Sequence, residues 1–282
     1  MSVGTVVRDD VRSIRRSYVV AGVVATFAAV VGLAFLGSSE VHSHPIRTTW
    51  GFSALVAWVL PLFLAPLAYL AVAGDRERGT IKYHLGLPNS RGEYFLAKYL
   101  SRAGVAVGGV VLSVVVAFVV AAVTYENGPD PVTFATFGAL SVLFTLDMLG
   151  VFVGVSAAVS SRSRAMVGVF GAYFLLSAFW VGFIPVLNLE TLLDAVASLP
   201  WVSISDPTRA VIGALSPAGA YFNTLPELVW ADPPGQYGVF AQFGEQPDYL
   251  GLEPWFNLLS MGVWAVAAPL VGYLRFRAAE LG

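Results

Sequence analysis

Few side chains in this sequence could do chemistry away from water, and Asp147, in LFTLDMLGVF, is the most conspicuous. A carboxylate in so apolar a stretch costs about 2.5–3.5 kcal/mol to place at the centre of a membrane helix, so it must face protein or a wet cavity. Such a group could contact a substrate, carry a proton or bond across a subunit interface. Equally, it could be a neutral acid bonded to a hydroxyl such as Ser113, Ser156 or Ser177. His42 and His44, in VHSHP, place two imidazoles one residue apart with only Glu40 near them, a weak metal-ligand pattern that an ordinary loop explains as well. Nothing else suggests a catalytic set. There is no H-E-x-x-H, and no cysteine to form a disulfide, a thiolate metal site or a thiol nucleophile. An intramembrane enzyme needs converging polar groups at membrane depth, and a single carboxylate does not supply them. There is also no G-x-x-x-x-G-K-[ST], and neither Lys82 nor Lys98 follows a glycine-rich turn, so no nucleotide site and no bound cofactor are expected in this chain.

The remaining polar chemistry is concentrated in one island, Gly74–Arg102, which holds six of the sixteen Lys and Arg residues: Arg76, Arg78, Lys82, Arg91, Lys98 and Arg102. Around it the chain is 57% hydrophobic and only 12% charged, about half the charged fraction of a soluble domain. That composition indicates an all-α integral membrane protein. Six blocks approach or exceed the roughly 20 apolar residues that cross a bilayer as helix, at about 18–36, 52–73, 103–123, 133–159, 165–187 and 255–274. They are too long and too uniformly apolar for barrel strands. Pro61 and Pro66 should kink the second, and Pro185 should end the fifth. The first block exceeds a usual signal core and lacks a clear cleavage site after it, so it reads as a retained span.

Basic residues set the orientation. Fourteen of the sixteen lie in the N-terminal segment, the island, the Ser160–Arg164 turn or the C-terminal tail, leaving Arg47 and Arg209 opposite. Both termini are therefore expected in the cytoplasm of a multi-pass plasma-membrane protein. Before the first span, residues 5–17 place Val7, Val11 and Ile14 beside a row of arginines, the pattern of a helix lying in the headgroup layer. On the far side, the long loop 188–254 holds a helical pattern in ETLLDAVASL. In Asp206-Pro207 it has a cap and first-turn proline opening a short helix that Ser216-Pro217 ends. Beyond that, the loop reads as turn-rich around ADPPG and GEQPDY. Gly104-x-x-x-Gly108 and Gly150-x-x-x-Gly154 are small-residue spacings that weakly suggest close helix packing, including at a dimer face.

Within the island, Gly79 should break the second helix and Thr80 cap a short one over Ile81–Leu85, stopped by Gly86 and Pro88. Ser90 followed by Glu93 is a capping box, opening a helix that runs through Lys98 into the third span. A short helix hung below the membrane between two hinges suits docking into a groove on another protein.

The run Glu77-x-Gly79-Thr80-Ile81, then Leu85-Gly86-Leu87-Pro88-x-Ser90-Arg91, then Lys98, resembles the signature of ABC-2 type permeases, the membrane subunits of ABC exporters. The tight motif covers about 25 residues, whereas the order of spans, interfacial helix and long loop is similar to the family over the whole chain. The resemblance implies one permease domain over 1–282, with a coupling helix in 74–102. It assigns coupling to an ATPase to Glu77, Gly79, Thr80, Pro88, Arg91 and Lys98. Its expected partners are a separate cytoplasmic ABC ATPase holding ATP and Mg, a second permease copy (homo- or heterodimer) and membrane lipids, with no nucleic acid. Hydrophobic cargo and, in one branch of the family, a metal or sulfur species for cuproenzyme maturation stay open as substrates. A non-transporting membrane scaffold is the alternative.

Overall fold

A computed structural model describes residues 18–81, 90–182, 184–230 and 247–279. The expected interfacial helix over 5–17 and most of the short helix at 81–85, with Pro88, lie outside them. The described residues are helical, with no strand among them. In chain order the helices are α1 (Tyr18–Ser38), α2 (Ile46–Trp58), α3 (Leu60–Ala68), α4 (Ala73–Glu77), α5 (Arg91–Thr124), α6 (Pro131–Ala158), α7 (Arg162–Tyr173), α8 (Leu189–Ala197), α9 (Asp206–Gly213), α10 (Pro217–Leu228) and α11 (Pro254–Ala278). Five runs among the described residues are long and apolar enough to cross a membrane: Val20–Ser38, Ile46–Glu77, Arg91–Thr124, Pro131–Ala158 and Pro254–Ala278.

The fifth expected span, 165–187, does not form one such helix. α7 passes into a π-helical turn at Phe174–Ala178, where Phe179 N–H donates to the carbonyl of Phe174. Turns follow, and Gly182 takes φ +74°, so regular helix stops before Pro185 is reached.

The second block is also segmented. Pro61, with no N–H to give, opens α3 directly after the break at Val59, and Pro66 lies inside α3. Past Tyr69 the backbone turns again before α4. That second break is stitched to α6 by one side chain: Ser156 Oγ donates to the Tyr69 carbonyl at 2.8 Å and accepts from the N–H groups of Val72 and Ala73, both at 3.1 Å.

α6 is the hub of the bundle. It packs against α11, α5, α3, α7 and α10, and its buried side chains include Phe144, Asp147, Met148, Leu149 and Phe152. Asp130 caps it, accepting from Thr133 Oγ1 and Thr133 N–H, each at 2.7 Å, with Pro131 at the first helical position. Those two bonds hold the Asp130 carboxyl below its ordinary range. α6 meets α11 with almost no side chain between them, because a Cβ on Gly272 would stand 2.2 Å from Gly154 Cα. The Gly150/Gly154 spacing is thus used within the chain, against α11, whereas a Cβ on Gly104 or Gly108 would meet no atom within 4 Å.

The long loop is more ordered than its composition suggests. α8 and α9 form where the sequence places them, although the residue before α9 is Ser205 and not Asp206. Ser216-Pro217 does more than end α9. Ser216 Oγ accepts from Gly219 N–H at 2.9 Å, and Pro217 takes the first position of a further helix, α10, which packs against α6 and α11. Tyr221 of α10 is fully buried, stacks on Phe144 at 5.1 Å and shares a 3.1 Å hydrogen bond with Ser141. Trp230 just beyond it is 1% exposed and donates to Thr49 Oγ1. The ADPPG stretch lies within 231–246, outside the described residues.

Candidate functional site

The capping box is present as the sequence indicates. Ser90 Oγ accepts from Glu93 N–H, and Glu93 Oε2 accepts from Ser90 N–H at 2.7 Å. It starts a helix of 34 residues, about 51 Å long, when roughly 30 Å of hydrocarbon needs only about 20 residues. The first turns of α5 therefore extend beyond the apolar layer at the basic end of the bundle and carry Arg91, Tyr94 and Lys98.

Facing them is a residue that sequence reasoning passed over, Asp75 in α4. It is 7% exposed and Lys98 8%. Lys98 Nζ lies 3.1 Å from Asp75 Oδ2, and Tyr94 Oη donates to the same oxygen at 2.7 Å. Asp75 Oδ1 takes Arg78 at 3.1 Å and Thr80 Oγ1 at 3.2 Å. Lys98 Nζ also stands 5.7 Å from the centre of the Tyr94 ring. A carboxylate removed from water is tolerable when paired and fully hydrogen-bonded, and four donors converge on this one. Asp75 is one of three acids among the six bases of the island, with Glu77 and Glu93, and its partner lies 23 positions away with no short-range pattern to link the two.

The motif residues occupy the rim of this cluster. Gly79 has φ +71°, a left-handed conformation that only glycine adopts without strain, and it ends α4 as expected. Thr80 donates back to the Asp75 carbonyl and carboxylate; the residues it would cap forward, 82 and 83, lie outside the described set. Glu77 Oε2 accepts from Arg162 N–H at 3.0 Å and forms an ion pair with Arg162 Nε at 3.2 Å, placing a negative charge at the N-terminus of α7. Arg91 Nη1 donates to the carbonyls of Arg277 and Ala279 at 2.7 and 2.8 Å, with Phe276 O at 3.4 Å, at the C-terminal end of α11. Arg76, also absent from the motif reading, donates to the carbonyls of Ala157 and Val159 at the end of α6, at 3.3 and 3.0 Å. The structure thus brings Glu77, Gly79, Thr80, Arg91 and Lys98 to one end of the molecule.

Asp147 is elsewhere. It is fully buried in α6, and neither carboxylate oxygen has a hydrogen-bond partner among the described residues. The three serines proposed for it are engaged with main chain: Ser113 with Gly109, Ser177 with Ala57, and Ser156 with Tyr69, Val72 and Ala73. His44 Nδ1 accepts from Ile46 N–H at 3.2 Å near the start of α2, and no group of three or more potential metal ligands occurs among the described residues. A cleft of about 130 Å³ between α1, α3 and α5 is lined by Val24, Phe27, Leu60, Phe63 and Val110. Another, of about 310 Å³ between α6 and α11, is lined by Val151, Val155, Trp264 and Val271, with Arg275 in its wall. Both are apolar enough to hold hydrocarbon and carry no catalytic group.

The family model described as "ABC-2 family transporter protein" matches residues 5–281. A protein of Stutzerimonas stutzeri named "Probable ABC transporter permease protein NosY" is 29% identical over 195 residues, covering 63% of this chain and 67% of that protein. A protein of Pseudomonas aeruginosa with the same name is 26% identical over 193 residues, covering 63% of this chain and 68% of its own length.

Proposed function

This chain belongs to the ABC-2 transporter family as a membrane permease subunit of an ABC transporter, and from that premise we propose that it works in export, driven by ATP hydrolysed on a separate subunit. The family generally implies an ATPase partner and a dimeric arrangement. Nucleotide and Mg belong to the ATPase in this reading, because the chain has no phosphate loop. A second permease copy completes the pathway, and both termini face the cytoplasm of the cell membrane, where the basic residues concentrate.

The observation that carries the reading is the basic end of the bundle. Glu77, Gly79, Thr80, Arg91 and Lys98 gather there, on both sides of segment 82–89, with Pro88 inside it, and that segment is the one we assign to contact with the ATPase. Co-purification tests it directly. A soluble phosphate-loop ATPase should co-purify with the chain in detergent and hydrolyse ATP faster in the reconstituted complex than alone, and Gly79→Pro should release it. A chain that co-purifies with no ATPase would instead fit a membrane scaffold.

A further inference from the structure

The motif charges have been read as a docking surface, yet in the structure they are spent inside the chain. Between positions 75 and 98, four side chains reach back into the bundle, and three of them end on helix termini. Arg76 takes the last carbonyls of α6, Glu77 the first N–H of α7, and Arg91 the last carbonyls of α11. Each charge has the sign that the terminus favours: cations at C-termini and an anion at an N-terminus. In each arginine one terminal nitrogen, Nη1, meets at least two of the last carbonyls of its helix, acceptors that the helix itself leaves without a partner. The fourth contact, Asp75 with Lys98, locks α4 to α5. Tyr94 against Phe276 at 5.9 Å and Phe95 against Tyr273 at 5.6 Å add apolar contact between α5 and α11 at the same level.

We propose that Arg76, Glu77 and Arg91, with the Asp75–Lys98 pair, are positioning residues that tie the ends of α6, α7 and α11 to the coupling segment, so that a displacement of that segment moves the three helices together. Contact with the ATPase then falls to residues 82–89, and the charges on either side transmit motion and do not dock. Glu77, Arg91 and Lys98 thereby take a role different from the one their motif suggests. The inference rests on the ATP-driven reading above and deepens it.

The test uses the chain's lack of cysteine. Ser160 and Ala278 are exposed, just beyond the end of α6 and at the end of α11. A spin label on Ser160→Cys, and in a second preparation on Ala278→Cys, carried by both permease copies of the reconstituted complex with its ATPase, reports the distance between the two copies at that end. Without further substitution the distance should change between the nucleotide-free complex and the complex trapped with ATP and vanadate. Adding Arg76→Gln and Arg91→Gln should leave the ATPase bound and hydrolysing while the change in distance is lost. The same change in the substituted complex would overturn the proposal, leaving these contacts as static caps. Should the double substitution prevent assembly, Arg91→Gln alone decides: a diminished change at position 278 supports the proposal and an undiminished one overturns it. If the complex without those substitutions shows no nucleotide-dependent change, or binds no ATPase, the ATP-driven reading itself fails.

Discussion

Lys98→Met removes one partner of the buried pair while keeping a side chain of similar reach. Asp75 stays 7% exposed, with Tyr94 donating at 2.7 Å and Arg78, on a half-exposed side chain, at 3.1 Å. Removing one partner of a buried ion pair costs about 3–5 kcal/mol when the other charge is left uncompensated. The three remaining donors, Thr80 at 3.2 Å among them, place this case at the lower end, about 3 kcal/mol. At roughly 2–4 °C per kcal/mol for a chain of a few hundred residues, that is a fall of about 6–12 °C in melting temperature. Tryptophan fluorescence of the detergent-solubilised protein, heated at one fixed rate, would read it. Asp75→Asn should cost less, because a lysine stem can carry its head toward water. The pair substitution Asp75→Asn/Lys98→Met should be milder than the two single effects summed, by about 1–3 kcal/mol. If Lys98→Met melts within about 0.5 kcal/mol of the unsubstituted protein, or the two effects simply add, the pair does not hold α4 to α5.

Other expectations are as direct. Gly272→Ala puts a Cβ 2.2 Å from the Gly154 backbone, where no side chain can move aside, so the helices must part and stability should fall by about 3 kcal/mol or more in the same melting assay. Gly79→Ala meets no atom within 4 Å but must keep φ +71°, so it should cost only about 1–2 kcal/mol and leave the fold intact by circular dichroism. Asp130→Ala removes the cap of α6 and should cost about 1 kcal/mol by thermal melting. Asp147→Ala should change stability by less than about 1 kcal/mol, because losing a buried carboxyl with no hydrogen-bond partner among the described residues offsets the small void it leaves; a larger loss would show that the carboxyl gains a partner in the assembled transporter.

What the sequence made legible was local. The Ser90/Glu93 box, Gly79 as a break and the apolar blocks of α1, α5, α6 and α11 follow from spacings within one helix or one turn. The cluster at the basic end does not. Asp75 meets Lys98 across 23 positions, and Arg76 and Arg91 bond to main-chain carbonyls, which any residue at 157, 159, 277 or 279 except for its side chain would offer alike. Ser216-Pro217 illustrates a different ambiguity. The same dipeptide ends one helix and opens the next, and only the burial of Tyr221 decides that a second helix follows. In the fifth apolar block hydrophobicity was read correctly but continuity was not, since nothing in GAYFLLSAFW announces a π-turn. The hydroxyls sought as partners for Asp147 bond instead to main-chain groups, Ser113 within its own helix and Ser156 and Ser177 across to neighbouring segments.

Site-directed cross-linking tests the central claim most directly, because a chain without cysteine gives a silent background. A single photoreactive label on His84→Cys probes the segment assigned to the ATPase, and one on Trp201→Cys, 80% exposed near the acidic end, is the control. The account predicts that in reconstituted membranes the first label joins the phosphate-loop ATPase and the second does not. Attachment from position 201, or from neither position while the ATPase remains bound, would contradict it.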